Sequence, residues 1–96
     1  PAKAAPASTS WADLVKSARG IASRPDAWAL LAVVALTQGR ANVEIPIGAL
    51  SEDLDVSEST VKSTLGRLEG LGWARREAVL VDGAARLQWV TTMAVR

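Results

Sequence analysis

Asp82-Gly83 joins two alternating runs, residues 73–81 and 84–93, each carrying Val and one Trp. A type I′ turn needs positive φ at both central residues, and Asp-Gly meets that need with little strain, so the dipeptide predicts a β-hairpin. Pairing Val81 with Ala84 fixes the register, because a slip of one residue would exchange the two faces. Leu80 then opposes Ala85, Ala78 opposes Leu87 and Arg76 opposes Trp89 on one face, which reads as core. Val79 with Arg86, Glu77 with Gln88 and Arg75 with Val90 form the other face, which reads as solvent-facing. Arg76 opposite Trp89 also suggests a structural cation-π pair.

The segments before the hairpin repeat at helical spacing. Ser10 followed by Asp13 is a variant of the capping box, and Trp11, Leu14, Val15, Ala18 and Ala22 then mark one face of a short amphipathic helix to about Ile21. Ser23, Pro25 and Asp26 repeat the start signal, and residues 28–36 run apolar on all sides until Gln38-Gly39, which predicts a buried central helix. Val43 and Ile45 alternate with Asn42 and Glu44 ahead of Pro46, the pattern of a very short edge strand. Helices over 47–54 and 58–70 follow, separated by a tight turn at residues 55–57. Residues 1–9, built from Pro, Ala, Ser, Thr and one Lys, bury too little to offset their ordering entropy and read as a tail or linker. Residues 10–96 read as one α+β domain, since 96 residues leave no room for a second core.

The chemistry available is narrow. With no Cys and no His, the chain has no thiolate nucleophile, imidazole base, disulfide or usual zinc ligand, and no carboxylate pair is spaced as a catalytic dyad, so an enzyme is not expected. Glu52, Asp53 and Asp55 lie beside a turn with no glycine to bend a calcium loop, and they read as a solvated helix surface; no metal or cofactor is expected. Residues 27–36 are about half the length of a membrane span, and no signal-peptide core precedes them, which points to a cytoplasmic protein. The four Trp are the only aromatic residues, so Trp11, Trp28, Trp73 and Trp89 must supply all large-ring packing; Trp28, Trp73 and Trp89 are expected inside. Net charge is only +1, but its distribution is uneven: residues 41–56 carry four acids and no base, whereas residues 57–96 carry six bases and four acids.

Between Leu50 and Gly72 the chain follows the pattern L-A-x-x-L-G-V-S-x-x-T-V-x-x-x-L-x-x-L-E-x-L-G at Leu50, Leu54, Val56, Ser57, Thr60, Val61, Leu65, Leu68, Glu69, Leu71 and Gly72. This stretch, with the helix before it and the hairpin after it, resembles the winged helix-turn-helix domains of bacterial and phage regulators and replication initiators. The pattern has physical content. Leu50 and Leu54 bury the first helix, Val56 plugs the turn, Ser57 caps the second helix, and Val61, Leu65 and Leu68 pack it down. Asp55 stands where the family commonly has a left-handed Gly, a conformation that Asp tolerates better than most residues. Ser51 replaces a small Ala.

The resemblance implies a three-helix core with a C-terminal β-hairpin wing, preceded here by an extra N-terminal helix, and it implies sequence-specific binding of double-stranded DNA. The helix at about 58–70 would enter the major groove, with Glu58, Ser59, Lys62 and Ser63 near base edges, Thr60 and Arg67 nearer the phosphates, and the cap Ser57 counted with the DNA-binding residues. Arg75 and Arg86 on the outer face of the hairpin would meet the backbone, as expected in a transcriptional regulator, replication initiator or plasmid transfer protein. A second reading is a winged helix used for protein interaction or dimerisation, favoured by the near-zero charge. In either reading Trp11, Leu14 and Val15 offer a cover for the core or a homodimer contact.

Overall fold

In a computed structural model, which describes residues 7–96, the elements run β1 (Ala7–Thr9), α1 (Trp11–Arg19), α2 (Arg24–Leu36), α3 (Ile47–Leu54), α4 (Glu58–Gly70), β2 (Ala74–Val81), β3 (Ala84–Thr91) and β4 (Met93–Val95). Three helices start on a serine that accepts from a backbone N–H three residues on: Ser10 from Asp13 at 3.1 Å, Ser23 from Asp26 at 3.4 Å, Ser57 from Thr60 at 3.1 Å. Each cap satisfies an N–H that the first turn leaves without an intrahelical partner. α3 begins after Pro46 without a side-chain cap and ends on Asp55, whose φ of 53° and ψ of 48° are left-handed. The turn is held by Ser51, which accepts the Val56 N–H through its backbone carbonyl and donates its hydroxyl to the Val56 carbonyl.

The core lies where α1, α2, α3, α4 and the base of the hairpin meet. Leu14, Leu30, Ile45, Leu50, Val61, Leu65 and Leu68 are fully enclosed. Burying a side chain of this size stabilises by about 1.5–3 kcal/mol. Leu14 is therefore part of the monomer's own core and is not available as the expected dimer contact, although Trp11 and Val15 on the same helix are exposed. α2 buries Ala29, Leu30, Val33 and Val34, but Trp28 is 65% exposed, so the helix is not buried all round. An all-apolar helix has no polar stripe to mark its solvent side, and here the uncovered side falls at Trp28. Val56 is exposed and does not plug the α3–α4 turn; Leu54 is half-buried.

The hairpin has the expected register, from Ala74 with Thr91 to Val81 with Ala84, and Asp82 and Gly83 both have positive φ, 51° and 79°. The predicted strand at Val43 to Ile45 shrinks to a single bridge between Glu44 and Val90, flanked by Ile45 N–H to Trp89 carbonyl at 2.8 Å and Thr91 N–H to Val43 carbonyl at 2.9 Å. Pro46 has no N–H to extend it, and Asn42 departs from extended backbone at φ 61° while its N–H still donates to the Thr91 carbonyl at 2.7 Å. Trp89 is 8% exposed and Val90 is buried, whereas Leu80 and Leu87 are 78% and 72% exposed. The face read as core is core only at Trp89, with Arg76, Ala78, Leu80, Ala85 and Leu87 exposed. The face read as solvent-facing is the more covered one: Val90 is buried and Arg75, Glu77, Val79 and Gln88 are half-buried. An eight-residue strand is about 26 Å long, and the body of a helix with its side chains is roughly 10–12 Å across. The distal half overhangs.

In a second, separate two-stranded sheet Ala7–Thr9 pairs in parallel with Met93–Val95, extended by Arg96 N–H to Thr9 carbonyl at 2.9 Å and Trp11 N–H to Arg96 carbonyl at 3.2 Å. The expected tail thus loses its last three residues to a strand; the remainder, residues 1–6, lies outside the described residues. Composition reports side chains, and this pairing uses backbone groups that every residue carries. Gly39 closes the same end: at φ 70° a Cβ there would come within 2.8 Å of the Val95 carbonyl oxygen. Among the described residues no helix is long and apolar enough to cross a membrane.

Two measurements check this arrangement. Deleting residues 1–9 should lower the thermal midpoint by about 4 °C or more, the effect of roughly 1 kcal/mol in a domain of this size; an unchanged midpoint would mean that β1 contributes nothing. In dilute solution Trp89→Ala should cost about 3–5 kcal/mol in denaturant unfolding, while Trp28→Ala should stay within about 0.5 kcal/mol of the parent, as an exposed position does.

Candidate nucleic-acid interface

α4 presents two faces because Val61, Thr64, Leu65 and Leu68 are buried at helical spacing, leaving Glu58, Ser59, Lys62 and Ser63 in solvent. The four residues expected near base edges are thus on one exposed surface. Ser63 donates its hydroxyl to the Ser59 carbonyl at 3.2 Å and keeps its lone pairs outward. Ser57 and Thr60 are committed to the helix start. Their hydroxyls lie 2.9 Å apart, and Ser57 Oγ takes the Thr60 N–H.

The arginines divide. Arg67, expected near phosphate, is held by Asp26: Nε donates to Oδ2 at 2.7 Å and a terminal nitrogen donates to Oδ1 at 2.9 Å and to Thr64 Oγ1 at 3.2 Å. Asp26 is buried, and that hydrogen bond raises the pKa of the Arg67 guanidinium above its ordinary value, against a smaller lowering by desolvation. Arg67 therefore serves as a counter-ion between α2 and α4. A carboxylate enclosed at that depth needs a charged partner, and α4 supplies it.

Arg75, expected on a phosphate, donates to Glu77 at 2.8 Å and to Asn42 Oδ1 at 2.9 Å, which braces the base of the hairpin against the loop before Ile45. Its outward charge is largely compensated. Arg76 lies 5.3 Å from the Trp89 ring centroid and reaches Glu69 at 3.1 Å, the cation-π geometry anticipated from the register. Among the described residues the ion pairs are Arg67–Asp26, Arg75–Glu77 and Arg76–Glu69. Lys62 and Arg86 are in none of them.

These two cations line one groove between α4 and the hairpin, with Gln88 and Leu87 on its β wall and Glu58 and Glu44 also on its rim. The groove pairs two long, unneutralised donors with two carboxylates, so it offers both donors and acceptors to an edge laid against it. Lys62 also faces Ser63, Arg76 and Leu87 across a smaller adjoining recess. Sequence reasoning missed the groove's apolar component, because Leu87 was assigned to the core. The available signal was strand length relative to the helix beneath it. Glu52, Asp53 and Asp55 are exposed, and among the described residues no cluster of acids is placed to hold a metal ion. Comparison with family models, with curated proteins and with solved structures finds no match for the chain.

The division of roles predicts a separation of phenotypes. Arg67→Ala should lower the thermal midpoint by several degrees, because it leaves the Asp26 carboxylate enclosed without its partner. Lys62→Ala should leave the midpoint within about 2 °C, since the side chain makes no ion pair. Equal midpoints for the two variants, followed by circular dichroism, would contradict the assignment of Arg67.

Proposed function

We propose that this chain is a winged helix-turn-helix domain that binds double-stranded DNA with sequence specificity and has no catalytic role. One observation carries the reading: Lys62 of α4 and Arg86 of the hairpin, both without an ion-pair partner, line the same groove. In this fold the second helix of the motif lies in the major groove and the hairpin rests beside it. Lys62 then donates to guanine O6 and N7, Ser59 and Ser63 exchange hydrogen bonds with whichever edge they meet, and Glu58 accepts from a cytosine amino group while disfavouring a phosphate at that point. Arg86 reaches the backbone. The left-handed turn at Asp55 and the Ser57 cap support the reading because they give α3 and α4 the short, tight connection that the motif requires.

Arg67, Arg75 and Arg76 already have carboxylate partners, so the electrostatic part of binding is small and base contacts must carry a large share of the affinity. Such a domain fits a transcriptional regulator, a replication initiator or a plasmid transfer protein.

Selection of bound sequences from random duplexes tests the proposal directly. A defined motif should emerge, and Lys62→Ala should reduce affinity for it by about 1–3 kcal/mol and relax the preference at one base position. Arg86→Ala should weaken selected and scrambled duplexes alike and reduce the slope of log affinity against log salt by about one unit. No enrichment at low salt would overturn the reading and transfer the assignment to a protein-interaction module, for which the exposed Leu80 and Leu87 would be the first surface to examine.

A further inference from the structure

Trp28 forms a ridge on α2 between two apolar grooves. The groove on the α1 side is lined by Val15 and Leu31 and rimmed by Arg19 and Arg24. The groove on the other side, toward the α3–α4 turn, is lined by Leu54 and Val56 and rimmed by Asp53. All three rim charges are exposed, and none is in an ion pair among the described residues. An exposed indole thus separates two apolar recesses, one bordered by unpaired positive charge and the other by unpaired negative charge.

That pattern is complementary to itself. In a two-fold symmetric contact residue i of one copy meets residue j of the other and j meets i. With the axis beside Trp28, Arg19 and Arg24 of each copy face Asp53 of the other, and each indole can enter the opposite recess. No other charge arrangement on the partner is needed, because the chain already carries both halves. Trp in a pocket at the centre of a contact, ringed by polar groups, is the usual composition of the residues that dominate association.

We propose that the chain forms a symmetric homodimer centred on Trp28, with Arg19 and Arg24 of one copy paired with Asp53 of the second. The surface differs from the α1 stripe expected from sequence: Leu14 is inside the core, Val15 is shared, and the centre moves to α2. It lies on the Thr60 and Thr64 flank of α4, away from Lys62, so the dimer leaves the groove beside the hairpin open. The inference does not rest on the DNA reading.

Sedimentation equilibrium of the full chain over a wide concentration range, without DNA, tests it. The parent should follow a monomer–dimer equilibrium, and Trp28→Ala should raise the dissociation constant about tenfold or more while its circular dichroism stays unchanged. Asp53→Arg alone and Arg19→Asp with Arg24→Asp should each weaken self-association by about tenfold, since each sets like charges against one another. An equimolar mixture of these two variants should recover the dimer, because both cross-contacts then pair opposite charges. A parent that stays monomeric at every concentration overturns the proposal. So does a dimer indifferent to Trp28→Ala, or a charge-reversed mixture that associates no better than its components.

Discussion

Asp26 is a carboxylate enclosed at the first turn of α2, and its neutralisation by Arg67, 41 residues away, ties α2 to α4. A buried acid with one bidentate partner tolerates little variation in geometry, because both hydrogen bonds weaken together when the helices slide. The pair therefore joins the first turn of α2 to α4, the helix from which Glu58, Ser59, Lys62 and Ser63 project. Ser23 caps the same turn from the other side, accepting the Asp26 N–H. The backbone of Asp26 thus closes the start of α2, while its side chain joins α2 to α4, the helix that carries the exposed face.

Two more arginines are likewise engaged within the fold. Arg75 and Arg76 hold the base of the hairpin, one through Glu77 and Asn42, the other through Trp89 and Glu69. Stability and surface potential compete for the same guanidinium groups, and in this chain Arg67, Arg75 and Arg76 are engaged in ion pairs within the fold. Under the DNA reading the remaining donors are few, and discrimination rests on where Lys62 lies rather than on bulk attraction to phosphate. The near-zero net charge is consistent with that division.

Apolar residues divide in a comparable way. Leu30, Leu50, Leu65 and Trp89 are enclosed by several elements at once, whereas Trp28, Leu80 and Leu87 sit where the covering elements end. Leu80 and Leu87 overhang because the strands outlast the helix beneath them, and Trp28 is exposed because α1 and the α3–α4 turn stop on either side of it. Exposed large side chains in such positions are candidates for contact with another molecule, since scattered single residues would not form continuous recesses.

Local chemistry was readable from the chain alone. The three serine caps, the left-handed Asp55, the type I′ turn at Asp82-Gly83 and the hairpin register each depend on residues within a few positions of one another, and each is found as expected. The α+β character and the boundaries of α3 and α4 came from the same short-range signals. Long-range partnership was not readable. Nothing near Arg67 in sequence marks it as the counter-ion of Asp26, nothing in a Pro/Ala/Ser segment announces that Ala7–Thr9 will pair with Met93–Val95, and hydrophobicity could not tell Trp28 from Trp89. Those outcomes depend on which surfaces the packed elements cover and which they leave bare. Periodicity states that a residue has an apolar side; only the placement of distant neighbours determines whether that side meets protein or water.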